Sequence, residues 1–356
     1  MTHPLATDLN HILSHTEDLW EELRGQRIFI TGGTGFFGAW LLESFAWAND
    51  HLNLNASLVV LTRDVEAFRK KMPHLANDSA IDFHVGDIRN FTFPKGEFSH
   101  IIHAAATSAV ATYHNEDSLV KFDTVVEGTR HTLDFAVQCH ARKFLLTSSG
   151  VVYGKQPSGM THISEDYGGA PDTADPDSAW GESKRAAEFL CALYSKKYGM
   201  ETKIARCFSF VGPYLPLDIH YAIGNFIRDG MNGGPILVKG DGTPYRSYLY
   251  AADLAIWLWT ILFRGKACHP YNVGSEDDIT VGELANTVSM CLHKPVEVQI
   301  TKTPDRDNNL VERYVPLTKR ALRELGLYQW IDLPEGIKRT ISFFREATLN
   351  NQGACS

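Results

Sequence analysis

The sequence predicts an α/β protein in which a doubly wound parallel sheet is followed by a smaller C-terminal α/β region. Three observations support this prediction. Strand-like and helix-like segments alternate from residue 27 to about residue 205. The strand segments are continuous apolar runs, which are typical of a parallel sheet covered by helices on both faces. After residue 206 Gly and Pro become frequent and the apolar pattern loosens, which indicates a second, less regular region.

The individual elements follow from the spacing of the apolar residues. Apolar runs predict six strands, at 27–31, 57–61, 81–85, 100–104, 143–147 and 202–205. Helical spacing predicts helices before and between these strands, at about 8–24, 36–48, 64–72, 118–139 and 181–198. In the second half it predicts helices at about 219–231, 251–264, 281–292, 317–325 and 334–347.

These elements divide the chain into four parts. Residues 1–24 form a helical extension, which we expect to pack on the body or to contact another subunit. Residues 25–205 form the sheet domain, and residues 206–349 form the second region. Residues 350–356 are expected to be a flexible tail, because chain ends without burial fray.

Composition excludes several classes of protein. The formal net charge of the 356 residues is −8, and Lys and Arg are not clustered as binding to nucleic-acid phosphates would require. The longest apolar stretch, Leu254–Phe263, is too short to cross a bilayer, and residues 1–15 lack a secretory signal pattern. Six scattered cysteines without a C-x-x-C pair are typical of free thiols in a reducing compartment. We therefore expect a cytoplasmic protein without a nucleic-acid partner, a membrane partner or a metal site.

A glycine-rich turn joins the first strand to the first helix of the sheet domain. It contains G-x-G-x-x-G, and its residues are Gly32, Gly33, Thr34, Gly35, Phe36, Phe37 and Gly38. Glycines at this spacing permit a tight turn, allow the backbone to approach a pyrophosphate, and let the helix pack against the strand. The N-terminus of the helix then faces the phosphates. The turn predicts a dinucleotide-binding domain of the Rossmann type.

The choice between NAD and NADP depends on the end of the second strand. NAD-binding domains usually place an acidic residue there for the ribose 2′-hydroxyl, but this chain has Thr62 at that position and Arg63 next. A guanidinium binds a 2′-phosphate and stacks on adenine, which favours NADP. The alternative is that Arg63 is a solvated charge and Asp64 serves the ribose of NAD.

Two further segments are expected to contact the dinucleotide. Asp87 and Ile88 follow the third strand, where a carboxylate accepts a hydrogen bond from the adenine amino group or, alternatively, only caps the turn. The fourth strand ends in His103 and then Ala104, Ala105 and Ala106, whose small side chains let the cofactor pass close to the sheet.

The ordered set of motifs resembles the extended short-chain dehydrogenase/reductase family, the NAD(P)-dependent nucleotide-sugar epimerases and dehydratases. Besides the glycine turn, the resemblance rests on S-S-G-V-V-Y-G at 148–154, G-E-S-K at 181–184, R-S-Y at 246–248, Y-N-V-G at 271–274 and R-Y-V-P at 313–316. It covers nearly the whole chain from about 26 to 347. It implies a cofactor site on the sheet domain and a nucleotide-diphosphate sugar bound mainly by residues 206–349.

In that family a Ser, a Tyr and a Lys act together on a sugar hydroxyl. The resemblance assigns the first role to Ser149 and makes Lys184 the lysine, which holds the nicotinamide ribose and lowers the pKa of the Tyr. The Tyr position is occupied by Trp180, whose indole cannot take up or release a proton in this reaction. Three interpretations stay open: a weakened or non-catalytic relative, an enzyme in which another group is the base or none is needed, or an altered form of a Tyr enzyme. Tyr153, Thr107, Ser108 and Glu165 are candidate substitutes.

A second departure bears on the reaction. The family's dehydratases and decarboxylases carry a Glu, often preceded by Asp, where this chain has Gly150 and Val151. Without these carboxyl groups the segment is more similar to the 4-epimerases and 4-ketoreductases. Two positions that are Asn in the family are Val125 and Ser209 here.

The resemblance also implies a set of substrate contacts. Arg246 matches an arginine that pairs with the diphosphate, and Arg313 would add a second bidentate contact. The remaining predicted substrate contacts are Thr107, Ser108, Ser149, Ser209, Asn225 and Val238. Asp253 is interpreted as a helix cap or structural residue.

The sequence therefore favours a nucleotide-sugar 4-epimerase or related NAD(P)-dependent oxidoreductase that acts through a transient 4-keto sugar. The alternative is a protein that binds the cofactor and sugar without turnover, and a 4,6-dehydratase is the third hypothesis. By resemblance we expect a homodimer formed through the helices at about 118–139 and 181–198.

Overall fold

The computed structural model describes residues 3–106, 116–219, 221–303 and 311–353, with backbone alone for residues 348–353. The strands are β1 Arg27–Thr31, β2 Ser57–Thr62, β3 Ile81–Val85, β4 His100–His103, β5 Lys143–Ser149, β6 Glu201–Cys207, β7 Phe210–Val211, β8 Ile236–Val238, β9 Tyr245–Ser247, β10 Leu249–Tyr250, β11 Pro270–Val273, β12 Asp278–Thr280, β13 Val298–Ile300 and β14 Arg313–Tyr314. The α-helices are α1 Ala6–Thr16, α2 Phe36–His51, α3 Val65–Lys71, α4 Pro73–Ala76, α5 Ser118–Gln138, α6 Ala179–Tyr198, α7 Ala222–Met231, α8 Ala251–Arg264, α9 Val281–Cys291, α10 Lys319–Leu325 and α11 Leu333–Gly353.

A seven-stranded parallel sheet organises the structure, in the order β11-β6-β5-β4-β1-β2-β3. Its strands bury both faces. Along β1, Ile28 and Ile30 belong to the core under α2 and α8, while Phe29 belongs to the core under α5 and α6. The predicted α/β class and doubly wound parallel sheet are confirmed.

From β1 to β3 each new strand is added towards one edge of the sheet, and from β4 onward towards the other edge. The strand order therefore reverses between β1 and β4. The carboxyl ends of the two strands lie together, because Thr31 is in register with His103. In doubly wound sheets this switch point is where ligands bind. The glycine turn directly follows Thr31 and is therefore placed at the crevice.

The main sheet includes a strand from beyond the boundary that we predicted at residues 205/206. Strand β11 returns to the main sheet beside β6, and α8 packs against β5 and β6. The remaining strands of the second half form small sheets: β9 lies between β12 and β14, β8 pairs with β13, and β7 pairs with β10. The short apolar runs of this half were too weak to reveal that one of them completes the large sheet.

The N-terminal extension packs within the chain. Helix α1 and the 3₁₀ segment Glu17–Leu23 replace the single predicted helix and lie against α2 and α8. Trp20 is fully buried, with its ring centroid 4.7 Å from that of Trp259 and its indole N–H donated to Thr16 Oγ1 at 2.9 Å. Asp8 is also buried and accepts hydrogen bonds from Tyr250 and Arg339. The extension therefore completes the core around α8.

Asp253 has the structural role that the sequence indicated. It is fully buried near the N-terminus of α8, and one of its oxygens accepts the backbone N–H groups of Trp330 and Ile331 at 2.9 Å each. The other oxygen lies 3.1 Å from His11 Nε2. The carboxylate thus joins α1, α8 and the segment before α11.

At the C-terminus, α11 extends to Gly353 and enters the segment predicted as a tail. No Gly or Pro interrupts the sequence from Thr348 to Gln352, so local sequence permits the helix to continue.

Across the described ranges, no helix combines the length and the apolar character needed to cross a membrane.

Trp20→Ala tests the packing of the extension. Because the indole is fully buried against Trp259, we expect the free energy of unfolding to fall by about 3–5 kcal/mol in guanidinium titrations. Leu322→Ala, at a half-exposed position of α10, is the matched control and should change it by less than about 0.5 kcal/mol. Equal effects of the two substitutions would contradict the packing role.

Candidate functional site

At the glycine turn two backbone segments lie so close together that a side chain would not fit between them. Gly32 has φ +73°, and a Cβ atom there would lie 2.5 Å from the carbonyl carbon of Ala104. A Cβ atom at Gly38 would lie 2.4 Å from the carbonyl oxygen of Gly32. Gly35 precedes the first turn of α2, and its own N–H is donated to the Gly32 carbonyl at 3.1 Å. These contacts leave the N-terminus of α2 open as a phosphate cradle.

Phe36 and Phe37 begin α2 and supply N–H groups of its first turn. The ring of Phe37 packs at 5.1 Å, edge to face, against Phe210 of β7. The packing fixes the helix start against the second half of the chain, so the cradle is rigid on both sides.

Hydrogen bonds hold the opposite wall, which is formed by Ala104, Ala105 and Ala106. Ala105 donates its N–H to Thr31 Oγ1 at 3.2 Å, and the same hydroxyl lies 2.8 Å from His103 Nδ1. Burial, with a contribution from Lys184, lowers the pKa of His103 to about 3, so this imidazole is neutral. His103 therefore supports the crevice wall and is not a proton donor at neutral pH.

The segment after β2 is where the sequence predicts the adenosine end of the cofactor. Arg63 is exposed at the end of β2, and the side chain of Asp64 is used as the N-cap of α3, accepting Ala67 N–H at 2.9 Å. Thr62 Oγ1 in turn accepts the Asp64 N–H at 3.2 Å. The helix cap therefore uses one oxygen of the Asp64 carboxylate.

Asp87 makes the turn-capping contacts that the sequence analysis gave as the alternative to a hydrogen bond with adenine. Its Oδ1 accepts the backbone N–H of Arg89 at 3.0 Å and the Arg89 guanidinium at 2.8 Å. The hydrogen bonds from Arg89 lower the pKa of Asp87, and the charge of Arg63 contributes. Ile88 packs beneath α5, where a Cβ atom at Gly128 would lie 2.9 Å from it. A contact of Asp87 or Ile88 with adenine stays a prediction.

Lys184 is buried beneath the carboxyl end of β5. Only 2% of the residue is exposed, and its Nζ donates to the Thr147 carbonyl at 2.8 Å. Burial lowers the pKa of Lys184 to about 8, although Cys207, Glu188 and other nearby groups oppose this shift. An amine with such a pKa is partly neutral near pH 8. It is therefore able to take up a proton as well as to donate a hydrogen bond.

Trp180 lies one helical turn before Lys184 on α6, as the family Tyr would. The Lys184 Nζ is 5.1 Å from the centroid of the indole ring, within cation–π range. The ring also packs at the edge of the apolar core formed with α5. Trp180 thus faces the lysine, but it offers an aromatic surface where a phenol hydroxyl would stand.

Ser149, at the end of β5, has a phenol partner that sequence reasoning did not identify. Its Oγ lies 3.4 Å from the hydroxyl of Tyr314, which also lies 3.4 Å from the Cys207 carbonyl. Burial raises the pKa of Tyr314 to about 12, so the phenol stays protonated and acts as a hydrogen-bond donor. The R-Y-V-P motif was visible in the sequence, but its approach to β5 depends on long-range contacts. β14 pairs with β9, and the residues after Tyr314 form backbone hydrogen bonds with Ile163.

The segment after Ser149 is closed by an aromatic ring. A Cβ atom at Gly150 would lie 2.6 Å from the ring of Phe208, which itself packs at 4.7 Å from the ring of Tyr314. A side chain at position 150, one of the two positions at which the sequence analysis expects carboxyl groups in dehydratases and decarboxylases, would therefore collide with Phe208.

Tyr153 and Glu165, considered as substitute bases, are engaged in a structural network. The Tyr153 hydroxyl donates to Asn272 Oδ1 at 2.7 Å, and Glu165 accepts the Asn272 N–H at 2.9 Å. Burial raises the pKa of Tyr153 to about 12 and also raises the pKa of Glu165. Tyr153 and Glu165 are therefore both held by Asn272 of β11.

The structure does not bring the two predicted phosphate-binding arginines together. Arg246 is in register with Tyr314 and therefore shares its face of the small sheet, where Glu312 holds its guanidinium. Arg313 lies on the other face, over the ring of Tyr245 at 3.8 Å and 2.6 Å from Asp278. The residue types alone did not reveal that Arg246 and Arg313 lie on opposite faces of the small sheet.

Three of the other predicted substrate contacts, Asn225, Val238 and Ser209, are among the described residues. Asn225 uses its amide locally, donating to the Ile219 carbonyl at 2.8 Å and accepting from Arg228. Val238 is buried at the end of β8, and Ser209 lies between β6 and β7 with its carbonyl bonded to the Leu249 N–H. Thr107 and Ser108 lie outside the described residues. None of these contacts is decided by the geometry.

Together, a parallel sheet with a glycine turn at its switch point and a buried lysine facing the end of β5 define a dinucleotide-binding protein of the short-chain reductase type. The chain belongs to the NAD dependent epimerase/dehydratase family, whose profile matches residues 28–274. The predicted family is thereby confirmed.

Individual relatives differ in their named reactions. UDP-glucuronic acid decarboxylase 1 of Arabidopsis thaliana is 29% identical over 326 residues, which are 91% of this chain and 71% of that protein. An epimerase from Methanothermobacter thermautotrophicus has the same fold, with a TM-score of 0.76 at 21% identity over 99% of both chains. A dTDP-glucose 4,6-dehydratase from Streptomyces venezuelae, crystallised with NAD, has a TM-score of 0.73 at 24% identity over 90% of this chain and 97% of that one. The comparisons establish the family but not one reaction within it.

Gly32→Ala tests the cradle. Because the new Cβ atom would meet the Ala104 backbone at 2.5 Å with φ positive, we expect the dissociation constants of NAD(H) and NADP(H) to rise about tenfold or more in fluorescence titrations. Gly159→Ala is the control, since a Cβ atom there meets nothing within 4 Å. Unchanged cofactor affinity in a folded Gly32→Ala protein would contradict the assignment.

Proposed function

We propose that the protein is a nucleotide-sugar 4-epimerase or a related NAD(P)-dependent oxidoreductase that acts through a transient 4-keto sugar. The observation that carries the proposal is the arrangement at the end of β5. Ser149 and the buried Lys184 lie there, while Gly150 and Val151 provide no carboxyl group. Oxidation and reduction at C4 need only a hydride carrier and a proton acceptor. Dehydration or decarboxylation needs further groups, and we place the 4,6-dehydratase third for that reason.

The cofactor supplies a hydride acceptor and donor at the crevice. The glycine cradle suits its pyrophosphate, because Gly32 and Gly38 leave space that a side chain would fill. Lys184 would hold the nicotinamide ribose with ammonium hydrogens beyond the one donated to Thr147. Exposed Arg63 supports NADP over NAD, because Asp64 is engaged as a helix cap.

We assign the proton step to Lys184. A cofactor bound at the crevice would supply hydride exchange at C4 of the sugar. The neutral amine of Lys184 would take up the proton of the C4 hydroxyl and hold it as an ammonium. Ser149 hydrogen-bonds the same oxygen, and Tyr314 orients Ser149. The pKa of about 8 suits this exchange, since a base works best when its pKa is near the operating pH. In the reverse step the ammonium of Lys184 would return the proton to the same oxygen.

The second candidate is a protein that binds cofactor and sugar without turnover. Trp180 favours it, because an indole replaces the group that exchanges the proton in related enzymes. The two candidates differ in one measurement. When the purified protein is incubated with nucleotide-diphosphate sugars, an enzyme changes the nicotinamide absorbance, whereas a binder does not.

For the substrate we propose a nucleotide-diphosphate sugar with its diphosphate at Arg246. The guanidinium is held by the half-exposed Glu312 and lies on the same face of the small sheet as Tyr314. A diphosphate would displace Glu312 and form a bidentate contact. Arg313, on the opposite face, has less support as a second contact.

We further propose a cytoplasmic homodimer. Large apolar side chains are exposed on α5 and α6, the helices expected to form the interface: Leu119, Val120, Phe189, Leu193 and Tyr198. Exposed apolar surface of this kind is typical of an interface. The cysteines in the described residues are free thiols, which supports a reducing compartment.

Trp180→Tyr tests the catalytic proposal. A phenol beside Lys184 would exchange the proton at the sugar and pass it to the buried lysine, so we expect the turnover of a responsive nucleotide-sugar to rise about 10²–10⁴-fold over the turnover that Lys184 supports alone. Trp180→Phe keeps an aromatic ring without the hydroxyl and should give no such rise. If Trp180→Tyr binds both ligands and still transfers no hydride, the non-catalytic alternative is favoured.

The pH dependence tests the role of Lys184. Only the neutral amine accepts a proton, so the single-turnover rate of sugar oxidation should rise about tenfold per pH unit below pH 8 and level off above it. Reduction of the ketone should show the opposite trend, because it needs the ammonium form. Stopped-flow absorbance of the nicotinamide measures both, and oxidation that is independent of pH from about 6 to 9 would contradict the assignment.

A further inference from the structure

A cluster of two histidines and a glutamate lies away from the cofactor crevice, on the side of α2 that faces the N-terminal segment. Glu43 projects from the middle of α2 with only 2% of its side chain exposed. His74 Nε2 of α4 lies 2.8 Å from one carboxylate oxygen, and His3 Nε2 lies 3.3 Å from the other. The three residues are far apart in the sequence, at positions 3, 43 and 74, so they do not form a short sequence motif.

We propose that His3, Glu43 and His74 form a site for a divalent transition-metal ion, with zinc the best match. The ligand atoms of the three side chains all lie within 4.8 Å of one another. Two imidazoles and a carboxylate are a donor set that zinc uses, with bonds of about 2.0–2.2 Å, which place tetrahedral ligand atoms about 3.3 Å apart. The imidazole Nε2 atoms of His74 and His3 lie 2.8 and 3.3 Å from different oxygens of the carboxylate, so the carboxylate stands between them and one shared ion requires small side-chain shifts.

The surroundings favour a cation that arrives from solvent. The three residues line an open cleft of about 600 Å³, which is also lined by Asp50 and Asp78. Nearly half of the His74 side chain is exposed, at 46%, and His3 is exposed at 23%, so an ion has access to both imidazoles. The buried carboxylate fixes the inner side of the site.

The carboxylate of Glu43 is held by polar groups on several sides. His3 and His74 direct their Nε2 atoms at its two oxygens. Tyr214 donates its hydroxyl to the same oxygen that His74 contacts, which orients the carboxylate from the protein side.

Metal binding has an identifiable cost at His3. Its Nδ1 accepts the Leu5 N–H at 3.2 Å, so in the metal-free protein Nε2 carries the proton and donates to Glu43. Coordination through Nε2 moves that proton and ends the long Leu5 contact. The proton moves to Nδ1, so the cost of metal binding at His3 is the hydrogen bond from the Leu5 N–H.

The consequence of the site is a clamp between distant segments. His3 precedes α1, Glu43 lies on α2, and His74 lies on α4 between β2 and β3. An ion held by all three joins the N-terminal extension to the sheet domain in the folded state only. Because the unfolded chain does not hold these ligands together, zinc should stabilise the fold.

The test uses the full chain with a tag that contains no histidine, freed of metal with a chelator, and titrated with zinc chloride by calorimetry. We expect one equivalent to bind and the midpoint of thermal unfolding to rise by a few degrees. His74→Gln and Glu43→Gln should each weaken zinc binding at least about 100-fold. His51→Gln, an exposed histidine on the same helix, should bind zinc like the unchanged protein.

Each outcome decides the proposal. His74→Gln removes a half-exposed side chain, so the test stands even if the buried Glu43→Gln variant fails to fold. Zinc binding that is lost in His3→Gln but kept in His74→Gln would place the ion at the chain terminus and overturn the three-residue site. Absence of saturable binding in the folded, unchanged protein would overturn it as well.

Discussion

The close approach of two backbone segments at the switch point of the sheet is the constraint on which the site depends. The first turn after β1 passes so near Ala104 that Gly32 admits no side chain. That contact sets where α2 begins, and the start of α2 sets where a pyrophosphate would lie. Every role assigned to Lys184 or Ser149 assumes a ligand positioned from this point.

The large features of the fold were predictable because they are recorded as local periodicity. Six strands of the main sheet and the helices around them were visible as apolar runs and helical spacing, and the structure shifts their ends by a few residues. The seventh strand, Pro270–Val273, was not assigned to this sheet, because its place beside β6 depends on tertiary packing and not on its own sequence. The extension divided into a helix and a 3₁₀ segment for the same reason, since Trp20 follows the surface of α8.

The site was predictable where the chemistry is tied to a motif and not where it depends on strand pairing. The glycine turn, Ser149, Lys184 and the unexpected Trp180 were all read from short patterns, and the structure places Trp180 beside the lysine. Tyr314 was missed as a partner of Ser149, because 165 residues separate them and β14 brings them together. Arg313 was paired with Arg246 on residue type alone, and alternation along β14 turns it to the opposite face.

The ring of Phe208 beside Gly150 also restricts how this chain could change in evolution. A single substitution would place a carboxyl group at position 150, but the new Cβ atom would lie 2.6 Å from the nearest atom of the Phe208 ring. The ring would first have to be replaced by a smaller side chain, which would loosen the packing around Tyr314. Replacement of Gly150 alone and loss of the Phe208 ring alone are both unfavourable, so a carboxyl group reaches position 150 only if both residues change, while position 151 is outside this constraint.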